Sequence, residues 1–482
     1  VDIVSAVARP LAIDLDGTLL RTDSLVEAML RLAARAPFKL LALLPALLTA
    51  GRAAFKSRIA EAESLQPGSL IYNDDVLALA RAARAAGRPV YLVTAADASV
   101  ADAVAAHTNV FDGVFASDGV LNLKGRAKAH FLVEKFGAQG FDYVGDAAAD
   151  VPVWREARQA YVVAPNAALL RQARAAAAGV LTLGIAPSLT ERARRWAKAL
   201  RVHQWAKNVL IFLPVVAGHR FDGLTLIRAA AAFAAFSLCA SSVYLLNDLL
   251  DLPHDRLHPT KRHRPFASGA LDLTQAPALM AVCLGGGFAI ALLLPPRFML
   301  MLAVYYVCTL TYSLGLKRRA VWDVMMLAGL YTLRVFVGSA ATFIPISPWL
   351  LAFSLFLFFC LAVVKRQTEL VLYAREGRTA KLSGRGYTPD DLDMLRSMAA
   401  SSGYMSVLVL ALYVNSPDVL RLYHHPSALW VLCPVMLFWV SRVLMLSHRG
   451  EMNDDPVIFA LRDRVSLAVG AAALCAVVVG AV

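Results

Sequence analysis

The stretch "NDLLDLPHDRLHPTKRHRPFASG", Asn247 to Gly269, decides how this chain is read. It begins inside one apolar run and ends shortly before another. Asp248, Asp251 and Asp255 come first, and Lys261, Arg262 and Arg264 follow. Asn247, Asp251 and Asp255 are spaced four apart, and Asp248 precedes Asp251 by three, so helical spacing turns these groups to one face. Pro253 is expected to kink or end that helix, leaving Asp255 just past its last regular turn. Carboxylates gathered at a membrane surface repel one another, and a divalent cation carrying a diphosphate relieves that repulsion. The basic run supplies counter-charge for anionic oxygens.

The flanking runs are long enough to cross a bilayer. The chain has 482 residues, 58% of them hydrophobic, with a net charge of +13, which excludes an ordinary soluble protein. Nine spans are expected, at roughly 206–220, 224–246, 275–295, 298–315, 322–342, 348–364, 400–416, 427–446 and 463–481, the first of them short. Basic residues collect in 192–207, 247–272, 317–319, the loop 365–399 and 442–464, while the opposite side holds Arg220, Arg297 and Arg421. The positive-inside rule makes the first side cytoplasmic, and nine spans leave the C-terminus outside. The positive balance fits such loops better than nucleic-acid binding. Cys239, Cys283, Cys308, Cys360, Cys433 and Cys475 lie in apolar runs without a CxxC pair, so they read as core or lipid-facing residues.

Residues before about 190 follow different rules. Short apolar runs such as "RPLAIDLDGT", "RPVYLVTAA", "DGVFAS", "FDYVGDAAAD" and "AYVVAP" alternate with Ala/Arg-rich helical stretches, which implies a parallel sheet. No cleavable signal peptide is expected at the start, since the first strand pattern already carries Asp14 and Asp16. "APFKLLALLPALLTAG" (36–51) is apolar but short and contains Pro45, so it reads as a helical lid or a helix resting on the membrane. "TERARRWAKALRVHQWAKN" (190–208) reads as a basic amphipathic helix on the membrane surface. Asp14 and Asp16 at a first strand end, Thr94 ending a later strand, Lys128 beyond it, and Asp146 with Asp150 after another strand suit phosphoryl transfer with Mg²⁺. Lys56 and Arg58, between the first two motifs, read as surface charges.

"LAIDLDGTLLRTD", "VYLVTAA", "GRAKAHFL" and "VGDAAAD" together resemble the haloacid dehalogenase (HAD) superfamily of phosphotransferases. The resemblance implies a Rossmann-like α/β domain with a helical cap. It implies that Asp14 is the nucleophile and Asp16 the proton-transfer group. Thr94 and Lys128 would hold phosphoryl oxygens, Lys124 being a rival for the lysine role. Asp14, the backbone carbonyl of Asp16 and Asp146 would bind Mg²⁺, with Asp150 in support.

"NDLLDLPHD" resembles the first Asp-rich motif of UbiA-type prenyltransferases, an all-α polytopic membrane family. "LRVHQWAKNVLIFLPVVAG", "DRLHPTKRHRPFASG", "YSLGLKRRAVWDVMMLAGLYTLRVFVGSAA", "VVKRQTEL" and "LRDRVSL" are similar to its polyprenyl-phosphate (decaprenyl-phosphate type) phosphoribosyltransferase branch. Asp248 and Asp251 would then join Asp14 and Asp16 as catalytic residues, with Asp248, Asp251 and Asp255 holding Mg²⁺. Asn247, Lys261, Arg262, Arg264, Lys317, Asp323, Arg334, Lys365 and Arg366 would bind substrate, and Gln204 and Lys207 the lipid phosphate. The stretch matching a second Asp-rich motif has only Asp323, with Lys317 and Arg334 nearby, which argues against a two-metal prenyl-diphosphate site.

The expectation is therefore residues 1–185 as a HAD phosphatase with its cap at about 20–85, 186–207 as an amphipathic linker, and 208–482 as a UbiA-like transmembrane domain. The function expected is transfer of 5-phosphoribose from phosphoribosyl pyrophosphate to a polyprenyl phosphate, then removal of the 5-phosphate, toward lipid-linked pentose (arabinose) donors. The rivals are an aromatic prenyltransferase carrying an unrelated phosphatase, and a transferase with a non-catalytic HAD module. The place expected is the bacterial cytoplasmic membrane, with both active sites facing the cytoplasm. The sequence leaves oligomerisation open.

Overall fold

The computed structural model describes residues 9–49, 51–117, 123–258, 260–375, 382, 385–452 and 455–482. Parts of the expected 1–185 domain and of the expected 365–399 loop lie outside the described residues. The chain forms two compact units: Val1–Leu200 with Leu245–Leu279, and Arg201–Tyr244 with Met280–Val482. The linear division at 185 and 208 differs from this, because the Asp-rich stretch belongs to the first unit.

The first unit is built on a six-stranded parallel sheet, β1 (Leu11–Ile13), β2 (Val90–Asp97), β3 (Gly113–Ser117), β4 (Asp142–Gly145), β5 (Gln159–Val163) and β6 (Gly179–Leu183), in the order β3-β2-β1-β4-β5-β6. Strand alternation sends Leu11 and Ile13 to one apolar core and Ala12 to the other. The order reverses between β1 and β4, which opens a crevice at their carboxyl ends, where ligands of such sheets bind. Asp14 follows β1 and Asp146 follows β4. β6 escaped the sequence reading because it is a half-exposed edge strand whose apolar signal is diluted. Thr94 lies within β2 rather than at its end, because the strand continues past a register shift after Val93.

Of the helices between β1 and β2, four follow one another directly, Ser24–Arg35, Pro37–Leu43, Pro45–Thr49 and Gly51–Ala62, in the stretch expected as the cap. Asp23 caps the first, its carboxylate accepting from Val26 N–H. The apolar run at 36–51 thus folds as short helices. Lys56 is half-buried, donating to the Ala95 carbonyl at 2.8 Å, and is not a plain surface charge.

The amphipathic segment is shorter than expected. Its helix, Leu189–Ala199, ends at Arg201, which adopts left-handed backbone at φ 53°. This helix lies on the basic stretch: Arg195 donates to the Ala270 carbonyl at 3.1 Å and Lys198 to the His263 carbonyl at 3.0 Å.

In the second unit and the two helices divided between the units, eight helices among the described residues are long and apolar enough to cross a membrane: Gly223–Leu250, Leu273–Ala291, Pro296–Leu314, Trp322–Thr342, Pro348–Arg375, Pro389–Val414, Pro426–Arg449 and Arg464–Ala481. The expected first span at 206–220 is not among them. It folds as a 3₁₀ helix, Val202–Phe212, and a five-residue α-helix, Leu213–Ala217. This segment lies tight on Trp322–Thr342: a Cβ on Gly338 would stand 2.1 Å from the Ile211 carbonyl oxygen. Small residues at such contacts let membrane helices approach closely. The loop expected from 365 begins later, because the helix started at Pro348 runs on to Arg375 and carries Lys365 and Arg366 within it.

Candidate functional site

The sheet site is assembled from strand ends. The Lys128 ammonium, buried on the helix Arg126–Phe136, sits 2.8 Å from Asp14 Oδ1 and donates to Tyr143 Oη at 2.9 Å. Tyr143 Oη in turn donates to Asp150 Oδ1 at 2.9 Å. Asp150 Oδ2 accepts from the Asp146 and Ala147 N–H groups at 3.2 and 3.1 Å. Thr18 donates to Asp146 at 3.1 Å, and Ser24 N–H donates to Asp16 Oδ1 at 2.8 Å. Thr94 is buried, its hydroxyl accepting from Ala96 N–H at 3.0 Å. Lys124 is exposed. A small cleft runs from Asp16 and Ser24 between the helices Ser24–Arg35 and Gly51–Ala62 to Lys56 and Asp97.

The acids of this site repel one another. Burial, then the charges of Asp14 and Asp150, raise Asp146 to about 7. Burial and Asp14 raise Asp150 to about 6 against the pull of Lys128. Burial and Asp23 raise Asp16 to about 7 against the Ser24 hydrogen bonds. Oxygen atoms of Asp14, Asp146 and Asp150 lie within 4.8 Å of one another. Gly17, at φ +76°, makes room for this: a Cβ there would stand 2.3 Å from Asp146 Oδ2. An all-oxygen set of mutually repelling acids fits a hard divalent ion such as Mg²⁺.

The Asp-rich stretch, also in the first unit, is compensated differently. The long helix stops at Leu250, three residues before Pro253, and Leu252–Leu257 forms a new helix with the proline in its first turn. Asp255 therefore lies past the long helix, as expected, but inside a new one. Backbone bonds from Asp251 N–H to Asn247 O and from Asp255 N–H to Asp251 O, both 2.9 Å, carry the i,i+4 spacing across the break. Arg264 Nη1 sits 3.1 Å from Asp248 Oδ1 and 2.5 Å from Asp255 Oδ2. Burial raises Asp255, and Arg264 opposes that shift. The only acidic group converging within 4.8 Å among the described residues is the Asp14 cluster, so Asp248, Asp251 and Asp255 do not close a three-carboxylate site by themselves. Mg²⁺ commonly takes one or two carboxylates plus substrate phosphate oxygens, and the Asp248–Asp255 pair fits that demand. Lys261 and Arg262 are exposed.

In the second unit, Lys207 and Lys365 share the Asp455 carboxylate, Lys365 at 3.3 Å. Burial pulls Asp455 up, but the two lysines prevail and hold it down at about 2. Lys207 and Arg334 both lie over the Tyr331 ring, and Arg334 Nε donates to Asn208 Oδ1 at 2.9 Å. Asp323 and Arg366, both fully buried, pair at 2.7 Å, and Arg385 and Tyr312 also reach Asp323. Lys317 and Gln204 are half-buried. The sequence reading passed over Asp455, Arg385 and Tyr331. Asp455 had a local signal, an acid directly before Pro456 whose carboxylate caps a helix.

The UbiA prenyltransferase family model matches residues 209–461. An uncharacterized protein, y4nM, of Sinorhizobium fredii is 40% identical over 96% of this chain and 89% of its own length. The decaprenyl-phosphate phosphoribosyltransferase of Mycobacterium tuberculosis is 34% identical over 56% of this chain and 88% of its own length. A solved UbiA homolog from Archaeoglobus fulgidus, bound to DMAPP and Mg²⁺, aligns with TM-score 0.46 and 14% identity over 59% of this chain and 97% of that one. With its family match covering the helical half and eight apolar helices among the described residues, this multi-pass membrane chain belongs to the UbiA prenyltransferase family.

Proposed function

We propose that the chain is a bifunctional Mg²⁺-dependent enzyme of the bacterial cytoplasmic membrane. It transfers 5-phosphoribose from phosphoribosyl pyrophosphate to a polyprenyl phosphate, then removes the 5-phosphate, toward lipid-linked pentose (arabinose) donors. The observation that carries the reading is the conjunction in one chain of the Asp14–Lys128–Tyr143–Asp150 array with a half that is 34% identical to a decaprenyl-phosphate phosphoribosyltransferase. The product of the first reaction is a phosphate monoester, which is the substrate class of the second.

In the transfer, an oxygen of the lipid phosphate bonds to the anomeric carbon as its bond to diphosphate breaks. Asp248, Asp251 and Asp255, together with diphosphate oxygens, would hold Mg²⁺, which would offset the charge of the leaving diphosphate. Arg264 moves from the carboxylates to the diphosphate, with Lys261, Arg262 and Asn247 beside it. Lys207, Gln204, Lys317, Arg334 and Lys365 supply charge and hydrogen bonds to phosphate, while Asp323 and Arg366 hold the framework around them.

In the hydrolysis, Asp14 attacks phosphorus and the sugar oxygen leaves with a proton from Asp16, whose raised pKa keeps that proton available near neutrality. Asp16 then takes a proton from the water that cleaves the aspartyl-phosphate. Lys128 and Thr94 hold the phosphoryl oxygens. Asp14 and Asp146 would bind Mg²⁺ with Asp150 in support, offsetting phosphoryl charge.

The 3₁₀ segment supports the ninth crossing. Eleven residues at about 2 Å rise give about 22 Å, and five α-helical residues add about 7 Å, close to the roughly 30 Å hydrocarbon thickness. With nine crossings, the positive-inside rule would put the basic segments and both sites on the cytoplasmic side.

The test incubates the full chain with phosphoribosyl pyrophosphate, Mg²⁺ and polyprenyl phosphate, and reads lipid masses. Wild type should yield the lipid-linked pentose, and Asp14→Asn should stop at the lipid-linked 5-phosphoribose. Identical products from both would remove the second reaction, and prenylation of an aromatic acceptor would replace the first.

A further inference from the structure

The first unit buries an ion pair that neither proposed reaction uses. Arg256 follows Asp255 directly in the helix Leu252–Leu257. Its Nη1 donates to Glu27 Oε2 at 2.8 Å and its Nη2 to Glu27 Oε1 at 2.6 Å. Nη1 also donates to the Ser69 carbonyl at 2.9 Å, and Thr22 donates to Glu27 Oε1 at 2.5 Å. The Arg256 and Glu27 side chains are 7% and 0% exposed. A bidentate guanidinium–carboxylate pair fixes orientation as well as distance. Buried pairs contribute little net stability over apolar replacements, so their attested use is to specify geometry.

What the pair fixes is the register of the Asp-rich stretch. Asp255, next in sequence to Arg256, turns its carboxylate to Arg264 and thereby meets Asp248. The far end of the stretch is held by Arg195 and Lys198 on the Ala270 and His263 carbonyls. Glu27 stands one turn inside the cap helix Ser24–Arg35, whose first N–H binds Asp16.

From this geometry we infer that Glu27 and Arg256 are positioning residues for the transferase: the phosphatase cap holds Leu252–Leu257 so that Asp255 and Asp248 face a common cation or diphosphate position. The inference rests on reading this stretch as the diphosphate site. It makes phosphoribosyl transfer in this chain depend on a cap residue far from it in sequence.

The test compares wild type, Glu27→Gln, and the double variant Glu27→Leu with Arg256→Met, all as full chains. The double variant removes both buried charges and so avoids the unpaired guanidinium that Glu27→Gln leaves behind. Both variants should raise the KM for phosphoribosyl pyrophosphate about tenfold with a smaller change in kcat, as expected for a displaced binding group. Amide exchange should quicken over 252–258. Phosphate release from p-nitrophenyl phosphate, a soluble probe of the Asp14 site, should persist and report a folded domain. A double variant with wild-type KM overturns the inference, as does a loss of kcat and of p-nitrophenyl phosphate turnover together, which would mark general damage. If wild type itself transfers no phosphoribose, the transferase reading falls in that arm alone and takes this inference with it.

Discussion

At the carboxyl edge of the sheet, Asp14, Asp146 and Asp150 converge within 4.8 Å with Lys128 on one side only. In the Asp-rich stretch, Asp248 and Asp255 both pair with the guanidinium of Arg264. The first arrangement stores electrostatic repulsion, seen in Asp146 raised to about 7 by burial and its acidic neighbours. The second has spent its repulsion on an internal cation. On the proposed reading, the preformed acid cluster would take up a metal directly, whereas the arginine-paired one would be remade by the substrate that displaces Arg264.

The largest expected effect is at Gly17. Gly17→Ala puts a methyl 2.3 Å from Asp146 Oδ2 on backbone at φ +76°, so Asp146 must move away. Phosphate release should fall roughly 100-fold or more and the Mg²⁺ requirement should rise, while phosphoribosyl transfer is spared. Unchanged Mg²⁺ dependence of phosphate release would break the picture of a preformed site.

Arg264→Met should act in two directions. The KM for phosphoribosyl pyrophosphate should rise about tenfold because a counter-charge is gone. The half-saturating Mg²⁺ concentration should fall because Asp248 and Asp255 are no longer neutralised. Gly17→Ala raises the metal requirement of its site, so opposite signs sharpen the contrast. A parallel rise in both sites would erase it.

The smallest effect is in thermal melts with and without Mg²⁺. Unfolded aspartates ionise near 3.8, while folded Asp16 and Asp146 ionise near 7. The metal-free fold therefore holds protons that the unfolded chain releases. Their burial costs nothing below the unfolded value, costs progressively more as pH rises between the two values, and costs the full amount above about 7. Added Mg²⁺ should raise the melting temperature by an amount that grows over this window and then levels off, on the order of a few degrees. A shift independent of pH would mean the ion binds elsewhere.

The legible parts of this molecule were those written in local sequence. Apolar runs of membrane length and the strand-helix alternation before 190 announced a helical membrane half and a parallel sheet, because burial imposes its period on the residues that make it. Asp14 and Asp146 were legible as strand-end acids. The 3₁₀ form of the 206–220 segment was not legible because apolar composition does not distinguish a 3₁₀ helix from an α-helix. The new helix that carries Asp255 was not foreseen because a proline in the first turn of a new helix reads like one that ends the old. Asp455 was passed over because its two lysines stand 248 and 90 residues away.

By itself, then, the sequence determined which residue types each half carries and which period each segment follows, since those are properties of neighbours along the chain. The tertiary structure alone decided which charges meet. Arg256 lies in a basic-looking stretch after three aspartates, and nothing in its surroundings names Glu27, 229 residues earlier, as its partner. Arg264 looks like a phosphate ligand until the fold brings Asp248 and Asp255 onto one of its nitrogens. The reason is physical: hydrophobic pattern is a one-dimensional signal, whereas the partner of a charge is set by distance and burial, which exist only once the chain has closed on itself.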